Sequence, residues 1–234
     1  MYKNLLLLIV FSLSSFSLIA ESGLKPWSEG VFTQIEKEHG KPASERMRDI
    51  YNFIVKNADK PLKDKIVLVN NKFNELPWVA DKSKWSAEDY WATPFETITQ
   101  FGGDCEDMAI GKFLALRLMG IPKNNLFLGY VKVKATNETH MILVWTNDDR
   151  TETLILDNME KAVKSGKERT DLVAVYLTDA QGNIIILSDD GNQRSVKAEI
   201  SDKKIKKLET VKKRMRENQE KYKAYNDGRP LLIL

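Results

Sequence analysis

Apolar residues recur every third or fourth position in the first half of the chain and every second position through much of the second. Val31 and Ile35 lie one helical turn apart before the Gly40-Lys41-Pro42 break, and from Ser44 the positions Met47, Ile50, Tyr51, Ile54 and Val55 keep to one side. Pro61 stops that run. Ile66, Val69, Phe73 and Leu76 repeat the helical period and end before Pro77. Residues 78–103 carry Trp78, Trp85, Trp91, Pro94 and the Gly102-Gly103 pair without a sustained period, which predicts an ordered, aromatic-rich loop with short helical turns. From Asp104 to Met119 the chain is apolar nearly all round and closes on Gly120-Ile121-Pro122, the pattern of a central buried helix. Beyond it the period falls to two over 126–134, 139–146, 151–157, 171–177 and 183–187, predicting strands separated by turn residues such as Asn147-Asp148-Asp149. A last helix is expected over about 201–225 with the stripe Ile205, Leu208, Val211, Met215 and Tyr222. Helices first and strands afterwards imply an α+β fold with an antiparallel sheet.

The chain's 234 residues can bury one sizeable core, and a charged fraction of 29% with a net charge of +3 excludes a disordered chain and a surface built wholly for nucleic acid. Lys3, the apolar run from Leu5 to Phe11, a Ser-rich stretch and Ala20-Glu21-Ser22 read as a secretory signal peptide over residues 1–22. The greasy stretch from Leu5 to Ala20 falls short of the roughly 20 apolar residues that span a bilayer, a retained anchor being the alternative. Residues 23–234 are then expected to form a single domain: a helical part to about 122, a sheet part over about 123–190 and the C-terminal helix. The basic tail from Lys197, net +6, reads as a solvated helix, with anionic lipid or an acidic partner as the other reading. No nucleic-acid reader motif is present, and no direct membrane insertion is expected of the exported chain.

Chemistry-bearing residues are few. Cys105 is the sole cysteine, so neither an intrachain disulfide nor a Cys-rich zinc site can form, and His39 and His140 are the two histidines. Cys105 opens the buried helix directly after Gly102-Gly103, where the helix dipole and free backbone N–H groups stabilise a thiolate and can hold an oxyanion. A small buried hydrophobe is the alternative. A thiol nucleophile needs a base, and the base an orienting acceptor. His39 lies beside the Gly40 break, a capping or solvent-facing place, whereas His140 begins a strand. With the following hairpin turn centred between Asp148 and Asp149, Asn147 faces Arg150, Thr146 faces Thr151 and His140 faces Asp157. Asp104, Glu106 and Asp107 crowd three acids around the cysteine, which opposes ionisation of the thiol unless compensated. They read either as helix-capping acids or as a hard-cation site.

Gly102-Gly103-Asp104-Cys105-Glu106-Asp107-Met108-Ala109, the strand Thr139-His140-Met141-Ile142-Leu143 and Ile155-Leu156-Asp157-Asn158 resemble the bacterial transglutaminase-like cysteine proteases, most closely those of LapG type. Trp85-Ser86 and the segment from Tyr90 to Glu96 fit the same family's pre-cysteine region, and the resemblance spans about residues 28–178. It implies a papain-like fold with Cys105 as nucleophile, His140 as general base and Asp157 as its orienter. It also implies a periplasmic, calcium-dependent endopeptidase that cuts large surface adhesins at paired alanines near their N-termini and so releases biofilm cells. Such enzymes are held inactive by the periplasmic domain of an inner-membrane receptor for cyclic di-GMP, for which Trp85, Tyr90 and Trp91 are candidate anchors. Asp104 and Glu106 match family calcium ligands, and Asp89 is a third candidate. One departure stands out: papain-type enzymes place an oxyanion-hole glutamine six residues before the cysteine, where this chain has Thr99, with Gln100 one residue late. An acyltransferase that cross-links through the same thioester, and a non-catalytic binding module with a vestigial triad, remain the rival readings.

Overall fold

Glycine and proline punctuate the helical half. Gly40, at φ +86°, ends α1 (Glu29–His39) with its N–H on the Glu36 carbonyl, and Pro42 then stands in the first turn of α2 (Lys41–Asn57), where no amide donor is needed. The two helices pack through Val31, Phe32, Ile35, Met47, Ile50 and Ile54, and the Trp27 ring stacks on Tyr51 at 4.4 Å. Pro61 precedes α3 (Leu62–Phe73). The aperiodic stretch contains two short helices, α4 (Asp81–Trp85) and α5 (Pro94–Thr99), the latter opened by a reciprocal Thr93–Glu96 capping box with Pro94 at its first position. The computed structural model describes residues 27–179, 181–187, 193–194 and 202–228, so the expected signal peptide lies outside the described residues.

The helix α6 (Cys105–Leu118) is buried along most of its length, as its nearly uniform apolar character requires. It crosses α3 so closely that a Cβ on Gly111 would stand 2.3 Å from Phe73 Cε1. Its other side lies on the sheet, formed by β1 (Leu126–Val133), β2 (Thr139–Thr146), β3 (Thr153–Leu156), β4 (Lys164–Ser165), β5 (Leu172–Thr178), β6 (Ile184–Leu187) and β7 (Gln193–Arg194). Among the described residues the spatial order is β4-β3-β2-β1-β5-β6-β7, with every neighbouring pair antiparallel. The expected α+β class is thus the observed one. One face of the sheet joins the helical core through Leu128, Met141, Leu143 and Trp145, and Phe127, Val131, Ile142, Val144 and Ile155 cluster separately.

The β2–β3 hairpin differs from the expected register by two residues. Thr146 pairs with Thr153 and Leu143 with Leu156, because the loop carries Arg150 in the left-handed region at φ +60° and closes through Asn147 N–H to the Glu152 carbonyl. Asp157 therefore lies one residue beyond β3, opposite Ile142 in the continued register and diagonal to His140. A shift of two leaves each residue on its expected face, since side chains alternate with period two.

The last helix, α7 (Asp202–Lys223), returns over the helical part and packs Leu208, Val211, Met215 and Tyr222 into the core. Its charges hold the pre-cysteine segment: Arg214 Nη1 lies 2.6 Å from Glu96 Oε2 and also contacts Tyr90, while Lys204 and Lys207 pair with Asp89 at 2.8 and 2.5 Å. No helix among the described residues is long and apolar enough to cross a membrane.

Candidate active site

The turn that presents Cys105 is built from glycine backbone. Gly102 sits at φ +120°, which few side chains tolerate, and Gly103 exchanges strand-like hydrogen bonds with the Pro77–Val79 segment. A Cβ on Gly103 would meet Asp107 Oδ2 at 2.3 Å, so a bare backbone lets that carboxylate fold back over the helix start. Asp107 Oδ2 accepts from the Asp104 N–H at 3.3 Å and Oδ1 from the Ala92 N–H at 2.7 Å, tying the helix start to the loop before it.

Cys105 is half-buried, and its thiol donates to Glu106 Oε2 at 3.0 Å. Burial, then the neighbouring Glu106 and Asp104 carboxylates, push the thiol well above its usual range, and a hydrogen bond from the Met141 backbone works the other way. The thiolate expected from the helix dipole is therefore not favoured, because desolvation and the Glu106 and Asp104 carboxylates oppose it. Met141 follows His140 on β2, so the same contact puts the cysteine beside the histidine strand.

His140 is 5% exposed and Asp157 1%. The imidazole Nε2 lies 2.7 Å from Asp157 Oδ1, and Asp157 Oδ2 lies 2.8 Å from Arg169 Nη2. Burial pushes the Asp157 carboxyl up, but the His140 ring, the Met159 N–H and Arg169 together outweigh it and hold the group at about 2. Arg169 is itself oriented by two hydrogen bonds to Asp171, at 2.9 and 2.8 Å. Arg169 was not among the sequence candidates, since nothing in its local spacing marks a residue that arrives from the segment between β4 and β5. His39 stands elsewhere, near Glu38 and the Tyr222 hydroxyl at 3.6 and 3.4 Å.

Acidic groups gather next to Cys105. Asp81, Asp89 and Glu106 each offer an oxygen within 4.8 Å of the others, as do Asp81, Asp104 and Asp107. Of the sequence candidates for a cation, Asp104, Glu106 and Asp89 thus fall in one neighbourhood, and Asp81 and Asp107 join them. Asp81 opens the short helix α4 and carries no motif that sequence reasoning could use. Burial, then the charges of Glu106, Asp107 and Asp81, push Asp104 up to about 9; burial foremost pushes Asp107 up to about 8. Asp81 Oδ1 and Asp104 Oδ1 are buried with no hydrogen-bond partner. Crowded, partly unpartnered carboxylate oxygens are the donor set that a hard divalent cation takes. Asp89 is also engaged by Lys204 and Lys207.

Thr99 turns its hydroxyl onto the Phe95 carbonyl of its own helix at 2.7 Å, away from any oxyanion role. Of the expected anchors, Trp91 is buried, while Trp85 and Tyr90 are half-buried and pack ring on ring at 4.6 Å. The exposed aromatics beside the cysteine turn are Trp78, 61% exposed and bridged to Gly103, and Phe101.

Residues 35–175 match the model of a protein family described as bacterial transglutaminase-like cysteine proteinase. Among solved structures the chain is similar to calcium-bound LapG of Legionella pneumophila at 28% identity and a TM-score of 0.66, covering 79% of this chain and 97% of that one. EGTA-treated LapG of the same organism matches at 28% identity and a TM-score of 0.65, covering 81% and 99%. The curated proteins gave no match.

Proposed function

The chain belongs to the bacterial transglutaminase-like cysteine proteinases, and from that premise we propose that Cys105, His140 and Asp157 are the catalytic triad of an exported, calcium-dependent endopeptidase. The buried 2.7 Å contact between His140 Nε2 and Asp157 Oδ1 carries the assignment. A carboxylate on Nε2–H fixes the tautomer whose free Nδ1 can accept a proton from the cysteine. Cys105 Sγ attacks the scissile carbonyl as the imidazole takes the thiol proton, and the imidazolium then returns that proton to the leaving amine. Asp157, itself held by Arg169, stabilises the imidazolium. Water, deprotonated by the same imidazole, hydrolyses the thioester and frees the thiol. Backbone N–H groups at the start of α6 are suited to the oxyanion, since that helix end leaves amide donors unsatisfied.

The calcium reading is supported by the orphaned oxygens of Asp81 and Asp104 and by the similarity to a LapG solved both calcium-bound and EGTA-treated. Asp104 and Glu106 would hold the ion, with Asp81, Asp89 and Asp107 as the remaining acids within reach. A bound divalent cation would supply positive charge that offsets the carboxylates crowding Cys105.

We read residues 23–234 as one protease domain behind a cleaved signal, working in the periplasm. The substrate reading is a large surface adhesin cut at paired alanines in its N-terminal region, so that cells leave a biofilm, with the periplasmic domain of a cyclic di-GMP receptor as inhibitor. Both rest on the LapG likeness. Incubating the protein in calcium with the N-terminal region of a co-encoded giant adhesin tests this. Two fragments divided at paired alanines, absent with Cys105→Ala, are expected. Cross-linked products of higher mass would establish the acyl-transfer reading instead, and an intact substrate would overturn the endopeptidase assignment.

A further inference from the structure

Lys112 follows Cys105 by seven residues, two turns along the same face of α6, and points its ammonium into the core. It is 1% exposed and among the largest fully buried side chains. Its Nζ donates to Asn70 Oδ1 of α3 at 2.9 Å, and Asn70 Nδ2 donates in turn to the Lys161 carbonyl at 2.8 Å. One turn further, at the residue that caps α3, Asn74 Nδ2 donates to the Asp157 carbonyl at 2.8 Å. The helix that bears Cys105 is thus tied through α3 to both ends of the segment 157–161, whose first residue carries the carboxylate on His140. Burial pushes Lys112 down to about 7, opposed by the nearby negative charge of Asp157. A methionine would fill this volume without desolvating a charge, so packing alone does not account for a lysine here.

We propose that Lys112 is a positioning residue of this site: with Asn70 and Asn74 it fixes segment 157–161, so that the Asp157 carboxylate stays on His140 Nε2. The inference rests on the triad reading. Asp157 is then held from two sides, its carboxylate by Arg169 from the segment between β4 and β5 and its backbone carbonyl by Asn74. Lys112 touches no substrate; it acts through the acid.

The test compares Lys112→Met and Asn74→Ala with wild type in the full chain, alongside His140→Ala and Asp157→Asn. Three readouts apply: melting temperature, kcat and KM on the adhesin region, and the downfield NMR resonance of the His140 ring proton shared with Asp157. His39 is the one other histidine, so that signal can be assigned by its loss in His140→Ala. Lys112→Met is expected to melt close to wild type, to lose roughly 10- to 100-fold in kcat with little change in KM, and to shift or broaden the resonance, because a misplaced catalytic group costs rate rather than binding. Asn74→Ala should do the same in smaller measure. Wild-type kcat and an unmoved resonance in Lys112→Met, while His140→Ala and Asp157→Asn are inactive, would overturn the proposal and leave the triad standing. Activity retained in His140→Ala would instead remove the triad reading. Should Lys112→Met fail to fold, an unmoved resonance and full kcat in the half-exposed Asn74→Ala variant would decide against the proposal.

Discussion

Asp157 concentrates the energetics of the site in one carboxylate. It is held at about 2, below its ordinary value near 3.8, so the stability it adds is fully present above about pH 4 and is lost as the pH falls through about 2. For a buried group a shift of this size corresponds to about 2 kcal/mol. Acid titration of stability should therefore show a loss of that order in wild type that is absent from Asp157→Asn, and identical slopes would mean that the pair does not form in solution. The same variant should fold, because Arg169 keeps Asp171, yet turn over more slowly by several orders of magnitude through the wrong imidazole tautomer. Cys105→Ala and His140→Ala should abolish turnover, read as disappearance of the cleaved fragments. That His140 and Asp157 meet was legible in the sequence, because two histidines and a strand-turn-strand pattern left few combinations, although the pair is diagonal and not directly opposed. Arg169, Lys112 and Asp81 were not legible, since each owes its place to burial beside elements distant along the chain, which no local period encodes.

At the level of elements, the helices and the longer strands followed directly from periodicity, because each presents a continuous apolar face to one core. The two-residue strands β4 and β7 escaped, being too short to display alternation, and the β2–β3 register was displaced by a left-handed residue, Arg150, that carries no glycine or asparagine signal. Crossing geometry was equally invisible, yet it leaves a testable mark at Gly111. An alanine there would drive its Cβ against Phe73, so Gly111→Ala should destabilise the fold by about 1–3 kcal/mol despite its better helix propensity, as measured by urea denaturation. A gain in stability would show that α3 and α6 can separate at no cost. The cysteine turn carries a different expectation. Trp78 is exposed on the strand-like segment bridged to Gly103, and a large exposed aromatic beside the cysteine turn is the kind of residue that anchors a protein partner. Trp78→Ala should raise KM for the adhesin region at least about tenfold while leaving kcat near wild type, and an unchanged KM would place substrate elsewhere.

Across the whole molecule, charge is unevenly shared: the segment from Lys197 is net +6 and the preceding chain net −3, and α7 brings that basic charge onto the acidic pre-cysteine region. Arg214 and Lys207 thereby fasten the loop that presents Asp89, Tyr90 and Trp91 and partly neutralise its acids. Beside it Asp81, Asp104 and Asp107 are pushed upward, by burial first and then by neighbouring carboxylates, and two of their oxygens are unpartnered. A cation bound there would stabilise the folded state by an amount that grows with its concentration over its dissociation constant, about 2.7 kcal/mol at a hundredfold excess. Calcium should accordingly raise the melting temperature and support proteolysis, and EGTA should reverse both. Magnesium should substitute poorly, because it demands a tight octahedral shell and releases water reluctantly. In the Asp104→Ala, Glu106→Ala double variant the melting temperature should no longer respond to calcium, a readout that does not depend on activity. If wild type melts and cleaves identically in calcium and in EGTA, the acids around Cys105 act only as caps and loop anchors, and the thiol must be activated against their charge by His140 alone.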